Sequence, residues 1–209
     1  MRVSDSHRVL FVHVPKTGGS SVEAMFARRV DDSRVVEGRK RHASYQWLLA
    51  AEPGLDAYWS FGFVRNPWAR MVSWWSMVSG VFERAERGDE KARSKIEKYP
   101  NAWLPEGEFR HDFDRFVLEG TEKVSKLGTP QSVTLARADG RLVDFVGRTE
   151  NFDDDLNTVR DKLGLERRDQ SPRRNQSSHG HYHEYYNDET RAKVAEVFAR
   201  DIELFGYTY

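Results

Sequence analysis

Val9-Leu10-Phe11-Val12-His13-Val14 is a nearly continuous apolar run rich in β-branched residues. Continuous hydrophobicity suits a strand covered on both faces, as in a parallel sheet. Pro15-Lys16-Thr17-Gly18-Gly19-Ser20-Ser21 ends the run. Val22, Met25 and Phe26 then recur at helical spacing, with Arg28 and Arg29 near the expected helix end. The opening therefore predicts strand, glycine-rich turn, helix. Residues 58–65 repeat the plan: an aromatic and valine-rich strand, broken by Asn66-Pro67, precedes a helix over 68–78. A third strand is expected over 142–146. Phe152, Leu156, Val159 and Leu163 follow at helical intervals and stop at Gly164. A last helix over 188–205 has the stripe Val194, Val197, Phe198, Ile202 and Phe205, with Asn187 as its cap. Alternating strands and helices predict an α/β sheet with helices on both faces. No repeat or linker divides the chain, so residues 1–209 are expected to form one domain.

Composition narrows the function. The chain has 33 Lys+Arg, 33 Asp+Glu and no cysteine. Zero net charge disfavours a nucleic-acid-coating protein. The lack of thiols excludes disulfides, thiolate nucleophiles and cysteine-bound metal. No stretch approaches the roughly 18–20 apolar residues of a membrane span. The first residues lack the apolar core of a signal peptide. A cytoplasmic protein without stable membrane association is the expectation. The charge run over 83–98 reads as a solvated helix or loop, or as a flap over an acceptor.

The turn over 15–21 carries the first chemistry. Paired glycines let backbone N–H groups turn inward, and a helix N-terminus adds positive potential. Lys16 supplies a cation, and Thr17, Ser20 and Ser21 supply hydroxyls. With Gly18 and Gly19 they make a cradle for a terminal phosphate or sulfate. A tight turn with a capping serine is the plainer alternative. An ATP or GTP loop needs Gly-Lys-[Ser/Thr], and no Gly-Lys dipeptide occurs in the chain. The second signal is Arg65-Asn66-Pro67-Trp68-Ala69-Arg70-Met71-Val72-Ser73. Arg65 ends a predicted strand, where open α/β sheets hold ligands. Its guanidinium, with the Ser73 hydroxyl, suits a second phosphate.

Together the two motifs resemble those of sulfotransferases that use 3′-phosphoadenosine 5′-phosphosulfate (PAPS). The likeness is to the carbohydrate sulfotransferases related to the heparan uronosyl sulfotransferases. Gln131, residues 143–152 and residues 201–207 resemble later blocks of that family. The resemblance implies a P-loop-like three-layer fold with a central, mostly parallel sheet. It implies that Lys16, Thr17, Gly18, Gly19, Ser20 and Ser21 hold the 5′ end of PAPS. Arg65 and Ser73 would hold the 3′ phosphate. PAPS is then the co-substrate, adenosine 3′,5′-bisphosphate (PAP) the product, and no metal is required.

Sulfuryl transfer needs a base for the acceptor and a cation at the leaving oxygen. Lys16 suits the second role. His42, in Lys40-Arg41-His42-Ala43-Ser44-Tyr45, is the candidate base because histidine titrates near neutrality. The resemblance also points to this segment. His13, inside the first strand, reads as a satisfied core histidine. Arg148 follows a strand and can approach the nucleotide or pair with Glu150. Arg173, Arg174, Asn175, Ser177 and Ser178 can close over the 3′ side or form a solvated loop. His179, His181 and His183 alternate, but their polar, glycine-containing context reads as a loop rather than a metal site. The six tryptophans read mostly as core, with one of Trp74 and Trp75 free to line a cleft. The expected acceptor is a hydroxyl, less favourably an amine, of a carbohydrate or small molecule. Two alternatives remain at this level: a nucleotide kinase or hydrolase of related fold, and a non-catalytic nucleotide-binding module.

Overall fold

The computed structural model describes residues 1–38, 42–170 and 180–209. In chain order its elements begin with β1 (Arg2–Ser4), β2 (Val9–Phe11), α1 (Gly19–Arg29), α2 (Tyr45–Ala51) and β3 (Trp59–Val64). Then come α3 (Pro67–Glu86), α4 (Glu90–Lys98), α5 (Pro100–Gly107), α6 (Phe113–Leu118), α7 (Gly120–Lys123), α8 (Ser125–Gly128) and α9 (Gln131–Leu135). The chain finishes with β4 (Phe145–Arg148), α10 (Phe152–Lys162), α11 (Asp188–Val197) and α12 (Ala199–Phe205). It divides into two compact units. The first contains the described residues up to Arg65 and those from Gln131 to 170. The second contains Asn66 to Pro130 and the described residues from 180 onward.

The first unit is α/β. Its four-stranded sheet has the order β1-β2-β3-β4. β1 pairs antiparallel with β2, whereas β2–β3 and β3–β4 are parallel. Alternation within the strands sends Phe11, Phe61 and Phe63 to one face. There they pack with Val22 and Phe26 of α1 and with Phe152, Leu156 and Val159 of α10. On the other face Gly62 lies under Leu135 of α9, so close that a methyl group there would meet Leu135 Cδ2 at 2.3 Å.

β4 starts three residues later than the hydrophobic pattern suggests. Leu142 is drawn into a bridge with Ala136, and Val143 N–H donates to the Leu135 carbonyl. Asp144 Oδ2 accepts from both the backbone N–H and the hydroxyl of Ser60. A side chain thus does the work of a ladder carbonyl, and regular pairing begins only at Phe145.

The second unit is helical and is organised on α3. Asn66 caps this helix by accepting from the N–H groups of Trp68 and Ala69, and Pro67 occupies its first position. Trp68, Met71, Val72, Trp74 and Val78 enter a core with Phe109, Phe116, Leu127, Val194 and Phe198. Arg70 is buried in it, over the rings of Trp74 and Phe198, and feels the charge of buried Asp201. Desolvation lowers its pKa to about 10, so it stays charged at neutral pH. The charge run is the exposed end of α3 followed by α4, which Asp89 caps. The expected last helix is two, α11 and α12, broken at Phe198.

Candidate active site

Three parallel strands of the first unit end at the same edge of the sheet. The ladder matches Phe11 with Phe61 and Val64 with Arg148. The glycine-rich loop leaves that edge after β2, Arg65 follows the last residue of β3, and Arg148 is the last residue of β4. Open α/β sheets bind ligands outside this edge, because there the chain leaves the ladder and its loops and helix N-termini converge.

The loop is held in an unusual backbone state. Lys16 has φ +69° and Gly18 has φ +78°. Glycine adopts the left-handed region readily, but for lysine it costs about 1–2 kcal/mol. Strain of this kind persists where the surroundings enforce it, and it clusters at functional sites. Ser21 N–H donates to the Gly18 carbonyl, closing the turn into α1. Two close approaches leave no room for side chains. A methyl group at Gly18 would meet Phe152 Cε2 at 2.7 Å, and one at Gly19 would meet His13 Cδ2 and Nε2 at 2.1 Å. Packing against Phe152 and His13 therefore requires glycine at both positions.

Thr17 serves the loop differently from the sequence expectation. It is fully buried, and its hydroxyl donates to the Val14 carbonyl at 2.9 Å. That hydroxyl is spent on holding the turn. Ser20 is partly exposed in the first turn of α1, and Ser21 is buried beside it.

Arg65 is fixed by a residue far away in sequence. Gln131 is completely buried, and its amide spans the Arg65 backbone. Its Oε1 accepts from Arg65 N–H at 2.9 Å, and its Nε2 donates to the Arg65 carbonyl at 2.8 Å. Thr149 Oγ1 donates to the Val64 carbonyl next to it. The Arg148 side chain is exposed, and its backbone N–H donates to Asp155 Oδ2 at 2.6 Å.

His42 lies against His13. The two rings are 4.6 Å apart and nearly perpendicular, and His42 Nδ1 is 3.3 Å from the His13 carbonyl oxygen. His13 is buried, as expected for a core histidine, and its partner is Glu23. Glu23 was not singled out by sequence. Its signal is its spacing: four residues after Gly19, it shares that glycine's face of α1.

Ser73 belongs to the second unit, where it is buried on α3. Ser178 lies outside the described residues, as do Arg173, Arg174, Asn175, Ser177 and His179, and residues 39–41 before His42. Among the described residues no group of three or more His, Asp or Glu side chains is arranged to hold a metal ion. Among them, no helix is long and apolar enough to cross a membrane.

A model of the sulfotransferase family matches residues 1–208. The chain belongs to the sulfotransferase family. No curated protein and no solved structure gives a significant match. A sulfotransferase moves a sulfuryl group between oxygen or nitrogen atoms. A strained lysine, a turn too tight for side chains and the N-terminus of α1 together suit a small, highly charged anion. The more detailed likeness to carbohydrate sulfotransferases rests on sequence motifs alone.

Proposed function

We propose that this sulfotransferase takes its sulfuryl group from PAPS and passes it to a hydroxyl of a carbohydrate or small-molecule acceptor. The observation that carries the reading is the shared edge of β2, β3 and β4, where the Lys16 loop, Arg65 and Arg148 all emerge. One cradle suits the 5′ phosphosulfate. For the 3′ phosphate the sequence nominates Arg65 and Ser73. The layering of the first unit, with α1 and α10 on one sheet face and α9 on the other, supports a P-loop-like fold within one sulfotransferase domain.

The residues then have distinct tasks. His42 accepts the proton of the acceptor hydroxyl, and the freed oxygen bonds to sulfur. The bond between sulfur and the bridging oxygen breaks, leaving PAP. Negative charge grows on that oxygen, and the Lys16 ammonium balances it with the loop N–H groups.

The test is transfer from radiolabelled PAPS to a panel of sugars and small alcohols, with EDTA present. Wild-type protein labels at least one acceptor, and His42→Gln lowers turnover by at least about a hundredfold while remaining folded. Wild-type turnover in His42→Gln would falsify the base assignment. Transfer that requires magnesium would overturn the donor reading.

A further inference from the structure

Glu23 reaches into this site from α1, and its carboxylate is shared. The Met1 ammonium donates to Oε1 at 2.6 Å, and His13 Nδ1 lies 3.3 Å from the same oxygen. Burial pushes the carboxyl upward. Hydrogen bonds from His13 and Met1, with the charges behind them, outweigh burial and hold Glu23 well below the usual carboxylate range. An ionised carboxylate only accepts, so His13 Nδ1 carries the hydrogen. The ring it orients is 3% exposed and stacks on Phe11 at 5.5 Å. Its Cδ2–Nε2 edge fills the space that a side chain at Gly19 would need.

The same residue meets His42 twice, through its ring and through its carbonyl. A carbonyl also only accepts, so His42 Nδ1 must carry a hydrogen to bond it. In neutral His42 the basic lone pair is then on Nε2. A hydrogen-bonded pair serving stability alone would have no need to contact the base. This one ties α1, the anion loop and His42 into a single unit.

We infer that Glu23 and His13 are positioning residues for His42: Glu23 holds the His13 ring, and His13 sets the ring plane and tautomer that make His42 Nε2 the proton acceptor. The inference rests on the reading of His42 as the base. Neither Glu23 nor His13 is assigned a step of its own.

Two-bond proton–nitrogen NMR on protein labelled at histidine reads the tautomers directly. In wild type, neutral His42 should be protonated at Nδ1, and protonation at Nε2 would overturn the inference. Glu23→Gln keeps shape and an acceptor but removes the charge. It should mix the His13 tautomers, loosen the His42 ring plane and lower kcat roughly ten- to a hundredfold, with KM for PAPS changed less than about twofold. Unchanged tautomers and unchanged kcat would refute the positioning role. His13→Phe keeps ring bulk and carbonyl but loses the Glu23 bond, so wild-type kcat in this variant would refute it as well. His42→Gln separates the two readings. If it stays active, the base assignment fails and the inference falls with it. If it is dead while Glu23→Gln is normal, the positioning role alone fails.

Discussion

Gly19→Ala tests the loop most sharply, because the clash is with one tethered ring. A methyl group at Gly19 would sit 2.1 Å from both Cδ2 and Nε2 of His13, about 1.3 Å short of ordinary contact. The ring cannot withdraw cheaply, since it is buried, stacked on Phe11 and bonded to Glu23. Overpacking of this kind costs about 1–3 kcal/mol. A shift of that size also breaks the charge-assisted bond to Glu23, worth about 1.5–3 kcal/mol. The Met1 ammonium still pairs with Glu23, so part of the second cost is recovered. The expected loss is about 2–4 kcal/mol, or roughly 5–15 °C in Tm for a chain of this length. Distortion of the turn should also weaken PAP binding by at least about tenfold. Gly54→Ala is the control: nothing lies within 4 Å of the new methyl group, and stability should change by less than about 0.5 kcal/mol. Thermal melts and calorimetric titration with PAP measure both effects. Wild-type Tm and PAP affinity in Gly19→Ala would show that the His13–Gly19 contact does not shape the loop.

Lys16→Ala and Lys16→Gly should both lower sulfuryl transfer at least about a hundredfold. Only the glycine variant relieves the left-handed strain at φ +69°, so it should be about 1 kcal/mol more stable than Lys16→Ala in urea unfolding. Gln131→Ala removes both hydrogen bonds to the Arg65 backbone. It should cost about 2 kcal/mol of stability and weaken PAP binding several-fold, as read by the same melts and titrations. Asp32 has its pKa lowered to about 2, first by the Ser6 backbone N–H and then, against burial, by the hydroxyls of Ser4 and Ser6. A depressed carboxyl stabilises the fold above its unfolded pKa near 4, and this contribution is lost as pH falls toward about 2. Asp32→Asn should therefore lose about 1–2 kcal/mol at neutral pH, and its unfolding free energy should fall less than wild type between pH 4 and 2.

Much of the first unit was legible because its signals are local. A continuous apolar run, a glycine-rich break and helical spacing within residues 9–29 describe β2, the loop and α1 without reference to the rest of the chain. Asn66-Pro67 likewise marks the start of α3. What escaped depends on contacts distant in sequence. Asp144 captures Ser60 across 84 residues and delays β4, which hydrophobicity alone cannot show. Thr17 looks like a ligand hydroxyl until the Val14 carbonyl is seen above it. Phe198 has the apolar character of a helix stripe, and no glycine or proline announces the break there. Glu23 was invisible because a charged residue on a helix usually faces solvent, and its partners, Met1 and His13, come from just before β1 and just beyond β2. Gln131 was recognisable as part of a resemblance, but its grip on Arg65 is a property of the fold.

The proposed donor is a nucleotide carrying phosphates at both the 3′ and 5′ positions of its ribose. Calorimetric titration with PAP, with AMP as control and EDTA present, tests it most directly. PAP should bind without metal at least about tenfold more tightly than AMP, a difference of about 1.4 kcal/mol or more, and Lys16→Ala should bind it much more weakly. Equal affinity for PAP and AMP, or PAP binding unaffected by loss of Lys16, would contradict the proposal.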